Sequence, residues 1–513
     1  MATHGTTHSV APMPSDDPLP PGDDIILGTL GSGPLATVDD HGVVHLPEGA
    51  STLRWWVVSE ERVHVPEREP AARHRRVDDA PIAETAVRVP GGDVVGRWYA
   101  IAGSGSRPRL ALEVTNHSAA PVAVAVVVGP GVVTIDREAV DLDGVTLHLS
   151  RRVAASEFGT LDQLAEAVAG APTFAATRRD RGHGAVVVPL PHTQPLRLAV
   201  GEPVTGDTPG PDQVAVGWST QVDRGASLAH PDPGCRDDWE VLRRRVLVRE
   251  HPDPVADAAD RLRALLVLGW VMEASEATDI LLAAMAPSGE FRTSAEPAIV
   301  AAAAVAGLGS WSRSGVPVAS LEHLAGPTAT AARRLGRRAR RLQPAWRSHV
   351  ASALESAAAL MDLLDEPRAA AEMRDDGARF GRSEAGLSSG PGERLVALLE
   401  GIVAQRRDGI DLLASWRDTW NGQEIDVRDV ATSWGTVSFS LRWHGARPAL
   451  LWEIEPWEER PPTAPPRLRL PVIDTGFEAA EWRGEVLVGS LASSLGTPPV
   501  AAAAPPDLDG GFT

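Results

Sequence analysis

The sequence predicts a multidomain α+β protein with an N-terminal antiparallel β-sandwich, a central α-helical hairpin (α/α) domain and a small C-terminal β segment. Three observations carry that reading. Up to about residue 222, short runs of β-branched and aromatic residues alternate with Gly, Pro and Asp clusters. From Asp253-Pro254 onward, apolar residues recur at helical spacing. From Ile425 strict alternation returns. At roughly 100–200 residues per domain, a chain of 513 residues holds about three units. The boundaries expected are a tail over 1–23, a sandwich over 24–250, helical hairpins over 251–424, β structure over 425–495 and a second tail over 496–513.

In the first region, 51–59 (STLRWWVVS) and 94–102 read as strands. Residues 107–116 (RPRLALEVTN) place Leu110, Leu112 and Val114 on one face, and 122–128 is wholly apolar. With Asn116-His-Ser-Ala-Ala between them, these two runs are expected to form a hairpin. Further strands are expected over 145–149, 184–190, 196–200 and 213–222, with one helix over 161–168. Many short strands joined by turns indicate a sandwich.

In the second region Asp253 is the expected N-cap and Pro254 the first helical residue. Val255, Ala259, Leu262 and Leu266 form one apolar stripe, broken at Pro287-Ser-Gly. Thr293 and Glu296 have the spacing of a capping box before an Ala-rich helix that runs to about Leu308. A loop over 309–316 precedes helices over about 318–325, 328–342, 344–364, 366–377, 392–406 and 409–419. In the third region, 436–443 (TVSFSLRW) and 449–454 (ALLWEI) flank a turn, and 468–471 and 486–491 are further strands.

The net charge is −19, and all 49 basic residues are arginine. So acidic a chain repels phosphate backbones and anionic lipid, so neither nucleic acid nor membrane is an expected partner. The lone cysteine, Cys235, rules out an internal disulfide and any multi-cysteine metal site. No signal-peptide pattern opens the chain and no apolar run is long enough to span a bilayer, so the expected location is the cytoplasm. The nucleotide-binding glycine motifs and H-E-x-x-H are missing from the sequence, and no cofactor or metal is expected.

Candidate site residues are few. Glu290, in a Pro-Ser-Gly-Glu-Phe loop, is the candidate catalytic carboxylate, because glycoside chemistry needs an acid presented to a cleft. Glu273 and Glu276 lie one turn apart on a helix. The candidate ligand-binding set is Arg442, Trp443, His444, Arg447 and Trp452, in which Trp can stack on sugar faces and Arg and His can donate to hydroxyls; the competing reading is a hairpin whose Trp residues pack internally. Ser388, in Gly386-Leu-Ser-Ser-Gly390, matches a nucleophile pattern but stands in a loop between helices. His41 and His45 can face one side of a strand and hold a metal; the plainer reading is a pair of surface histidines. Arg333, Arg337 and Arg341 share a helix face with Arg334, Arg338 and Arg340, which suits an acidic protein partner or a solvated face balanced by carboxylates.

Three segments carry a family resemblance. LEVTNHSAAPVAVAVVV (112–128) resembles sandwich strands, VGWSTQVDRGASLAHPDP (216–233) resembles a last strand leading into a first barrel helix, and GTVSFSLRWHGARPALLWEI (435–454) resembles the β segment after the barrel of six-hairpin (α/α) glycoside hydrolases. The resemblance implies a glycosidase-like architecture, shortened or degenerate because the hairpin region is too short for the full set of about twelve helices. It implies a carbohydrate-active or carbohydrate-binding protein, active or inactive, and an active one requires an acid-lined cleft between the helical and β regions. The alternative is a non-enzymatic interaction or scaffold protein that uses the arginine face.

Overall fold

The computed structural model describes residues 24–488, apart from 48–50, 60–61, 78–79, 103–106, 171–176, 180–181, 193–194, 250, 343, 381–389 and 446. Both expected tails, and the Ser388 loop, lie outside the described residues.

Two antiparallel sheets form the sandwich. The first has eight strands, ordered Ile25–Leu27, Ala36–Val38, Val44–His45, Thr52–Ser59, Val122–Gly129, His183–Leu190 and Ala155–Gly159, with Arg62–His64 also on Thr52–Ser59. The second has nine, ordered Thr177–Arg179, Val133–Ile135, Ala139–Leu142, Val145–Leu149, Leu196–Val200, Pro108–Asn116, Gly92–Ala102, Ile82–Val89 and Arg73–Arg76. Trp55, Val124, Val126 and Val186 of the first meet Trp98, Leu110, Leu112 and Val114 of the second in one core. The opposite face of the first sheet, with Trp56, Ala125 and Val127, is covered by Leu164 and Val168 of α1 (Leu161–Ala169). Val122–Gly129 is therefore buried on both faces, which is why it is apolar throughout rather than alternating.

Two expectations in this region are corrected. Pro108–Asn116 and Val122–Gly129 are not a hairpin; each pairs within a different sheet. Their link crosses the sandwich. Asn116 accepts from the backbone N–H and hydroxyl of buried Ser118 and donates to Ala120 O, so the crossing leaves these polar groups satisfied. Residues 213–222 are helical, within α2 (Pro211–Val222). Pro211 starts the helix, and the Gln213 side chain accepts from Gly210 N, a cap that outweighs the Val-rich composition.

After the short strand Ser227–Ala229 the helical region begins earlier than expected, with α3 (Pro233–Leu247), whose N-cap is Asp232. There follow α4 (Pro254–Val267), α5 (Val271–Ala284), α6 (Pro297–Gly309), α7 (Val318–Leu321), α8 (Ala325–Ala339), α9 (Pro344–Leu363), α10 (Pro367–Ala378) and α11 (Pro391–Ile402). The stripe from Val255 does not reach Pro287 in one helix. Gly269, at φ 85°, ends α4, with Gly269 N donating to Leu266 O and Trp270 N to Leu265 O. Buried residues of these helices share one core with Ile82, Tyr99 and Ile101 on the outer face of the second sheet, so helices and sandwich pack together.

The capping box expected at Thr293 and Glu296 is not formed: Glu296 is the N-cap residue of α6 but makes no side-chain cap, and the Thr293 hydroxyl donates to Asp253 instead. Residues 310–313, expected in a loop, form a 3₁₀ turn. The helix expected over 409–419 is replaced by strand Gly409–Leu412, antiparallel to Val403–Gln405 and parallel to Arg467–Leu470. Ile410 and Leu412 are both fully buried there, where a partner strand supplied by distant residues outweighs local helical spacing. The C-terminal hairpin is as expected, with Gly435–His444 paired to Arg447–Pro456 and Phe439 opposite Trp452. It belongs to a five-stranded sheet with Ser227–Ala229, Ile425–Thr432 and Arg483–Leu487. Among the described residues no helix is long and apolar enough to cross a membrane.

Candidate functional site

A cavity of about 480 Å³ opens among α3, α4, α6, α9 and α11. It lies within the helical region, so it is not the acid-lined cleft between that region and the β structure that the sequence reading required of an active enzyme. Its size suits a small molecule of a few rings.

The cavity is built outward from the start of α4. Asp253 caps the helix, accepting from Val255 N and Ala256 N, while its other oxygen accepts from Ser294 N and from the Thr293 and Ser294 hydroxyls. That carboxylate ties α4 to the segment that leads into α6. Helical spacing then places Asp257 and Asp260 on one side of α4. Asp257 is buried and committed, with Arg261 at 3.0 Å and Arg249 at 3.5 Å.

Asp260 has a different environment. Its oxygens accept from Gly392 N at 2.8 Å and Glu393 N at 3.3 Å, the first turn of α11. Burial pushes its carboxyl up to about 6, the negative charges of Glu393 and Asp257 add to the rise, and the two N–H groups oppose it. Behind it, Arg263 is buried, bonded to Glu400 and 3.9 Å from Glu393. Burial works against the Arg263 charge, but Glu400 and Glu393 outweigh it and hold the guanidinium above its ordinary range. The opposite wall is apolar, from Ile299, Ala302, Ala303 and Ala306 of α6, with Trp346 and His349 of α9 beside it.

The close approach of α11 to α4 depends on glycine. A Cβ on Gly392 would stand 2.1 Å from Asp260 O. Gly392→Ala is expected to push α11 off α4 and cost about 1–3 kcal/mol, as over-packing does. Urea unfolding followed by helical circular dichroism checks it; a change below about 0.5 kcal/mol would mean that the helices separate freely at this point.

The residues singled out from the sequence lie elsewhere. Glu290 is held by Arg334 at 2.6 Å and Arg338 at 3.4 Å, beside α8 and outside this cavity. Trp452 is buried against Phe477, edge-on at 5.9 Å between ring centres, and donates to Glu481 O. Trp443 donates to Gln423 O. Strand alternation puts Arg442, His444 and Arg447 on the other face of the sheet from both tryptophans, so the five do not converge. The Glu273 side chain accepts from Gln221 Nε2. His41 and His45 pair separately, with Asp40 at 2.5 Å and Asp39 at 2.9 Å. On α8, Arg333 pairs with Glu372, while among the described residues Arg337, Arg340 and Arg341 have no carboxylate within ion-pair distance.

Sequence reasoning missed Asp260 and Glu393. Two signals were present: two aspartates three residues apart on one side of α4, and Gly390-Pro391-Gly392-Glu393, a helix start stripped of side chains where another helix must approach.

No protein-family model and no curated protein matches the chain. Among solved structures it is similar to a bacterial glucoamylase complexed with acarbose, at 8% identity over 72% of this chain and 68% of that one, with a TM-score of 0.45. It is also similar to two family GH92 mannosidases of Bacteroides thetaiotaomicron. For the inverting mannosidase the identity is 12% over 69% of this chain and 59% of that one, with a TM-score of 0.38. For the α-mannosidase it is 8% over 69% and 62%, with a TM-score of 0.32.

Proposed function

We propose that the protein is carbohydrate-active and that the cavity beside α4 is its site, with Asp260 as the proton-donating carboxyl and Glu393 as the second carboxylate. The observation that carries this reading is two acids side by side on the wall of a ligand-sized cavity: Asp260, held by the N–H groups of Gly392 and Glu393 and pushed up by burial, and Glu393, 3.9 Å from a buried guanidinium. Two acids in unlike environments are what glycoside cleavage requires, because one must hold a proton while the other stays ionised. The apolar α6 wall and the Trp346 ring suit the C–H face of a sugar, and the α4 and α11 wall suits its hydroxyls.

A thermal-shift screen of the whole protein against mono- and oligosaccharides tests this. A ligand that binds only the folded state raises the melting temperature, by mass action, as its concentration passes Kd. A shift for one sugar class that Trp346→Ala removes is the expected result. A shift that survives Trp346→Ala but is lost in Trp443→Ala would move the site to the C-terminal hairpin.

A second reading, a protein-interaction surface, rests on α8. Arg337 on that helix and Arg340 and Arg341 just beyond its end are exposed, with Arg333 beside them, on a chain whose net charge is −19. Such a surface fits an acidic partner. An inert sugar screen together with salt-sensitive capture of one acidic protein, lost in an Arg337→Glu, Arg341→Glu variant, would favour it.

A further inference from the structure

We infer that the ligand of this cavity carries a protonated amine: an amino sugar rather than a uronate or a sugar phosphate. The inference rests on the carbohydrate reading above and names the class of sugar.

Both guanidiniums on the wall already have interactions. Arg263 is buried behind the wall between Glu400 and Glu393, and Arg245 has interactions of its own. An anionic ligand that took the Arg263 charge would have to displace Glu400 or Glu393. Of the acids, Asp257 is spent on Arg261 and Arg249. Asp260 is the proton donor of the reading above, and its charge also acts on Arg261. That leaves Glu296, which among the described residues has no guanidinium within ion-pair distance. Glu296 occupies the N-cap position of α6 yet caps nothing with its side chain. It is an exposed carboxylate among the residues that line the cavity, and Trp346 lines the same cavity, with the His349 ring 5.9 Å from its own. A carboxylate and an aromatic face in one cavity are the two groups that attract an ammonium ion. A sugar amine at Glu296 also leaves Asp260, on α4, to act on the ring substituents. Together an exposed ion pair and a cation over indole correspond to about a tenfold preference.

The test is calorimetric titration of the full chain at about pH 7 with glucosamine, N-acetylglucosamine and glucuronate, each as monomer and short oligosaccharide. Glucosamine sugars are expected to bind about tenfold more tightly than their N-acetyl counterparts, and glucuronate more weakly than either. The margin should shrink at about 0.5 M salt, where exposed charges are screened. Glu296→Gln should bring the glucosamine and N-acetylglucosamine affinities within about threefold; if that variant is unstable, the salt dependence of the wild-type protein decides alone. Equal or tighter binding of the N-acetyl sugar would overturn the inference while leaving the carbohydrate reading in place, and so would tightest binding of glucuronate. Silence from all three series and from neutral hexoses would overturn both.

Discussion

Asp253→Ala is expected to destabilise the helical region by about 3 kcal/mol at neutral pH. Asp253 is 8% exposed and accepts five hydrogen bonds, two from the first turn of α4 and three from Thr293 and Ser294. Loss of an N-cap alone costs about 1 kcal/mol. A hydrogen bond to a charged acceptor contributes about 1.5–3 kcal/mol, and water can replace part of it because Ser294 is exposed. The effect is linked to pH. Burial by itself would raise the Asp253 pKa, but the Ser294 and Thr293 hydroxyls and the N–H groups outweigh it and hold the carboxyl well below its usual 3.8. A group whose folded pKa is depressed contributes stability that is fully present above its unfolded pKa and is lost as pH falls. The difference between wild type and Asp253→Ala should therefore be full at pH 7 and shrink below about pH 4. Urea titrations followed by helical circular dichroism at both pH values measure it. A pH-independent difference would show that the carboxylate's charge contributes nothing and that only shape was lost.

Asp260→Asn is expected to remove the proton donor while keeping the size of the side chain and an oxygen for α11. If the proposed chemistry holds, turnover should fall by about 10²–10⁴, the usual contribution of general acid catalysis. The sign of the pH dependence is fixed by which form works. Burial pushes Asp260 up to about 6 and its protonated form is the donor, so the wild-type rate should fall about tenfold per unit above pH 6. The variant should lack that limb. Leaving groups divide the outcomes further: a dinitrophenyl glycoside needs little protonation and should be far less affected than a sugar–sugar bond. An equal loss on both substrates, with the pH limb retained, would move the acid elsewhere and leave Asp260 as a cap for α11.

The sequence made the sandwich legible because burial leaves a period. Thr52–Ser59 shows two adjacent tryptophans, and the structure sends Trp55 into the sandwich core and Trp56 under α1, as the pleat requires. It was silent on partners. Pro108–Asn116 and Val122–Gly129 have the spacing of a hairpin, and nothing local says that the chain crosses to the other sheet, because the deciding contacts come from Thr52–Ser59, His183–Leu190 and Leu196–Val200.

The site was less legible than the fold. The chemistry of Glu290 and Trp452 singles them out in the sequence; in the structure the first pairs with two arginines of α8 and the second packs against Phe477. Asp260 looked like an ordinary helix residue, because its environment is made by α11, more than a hundred positions away. By itself the sequence determined the order of β, helical and β regions, the caps at Asp253 and Pro254 and the acidic balance, since these depend on neighbours within a few residues and on composition. Only the tertiary structure decided which sheet each strand joins and which carboxyl is raised, since burial and the field of distant charges act through space and leave no period in the chain.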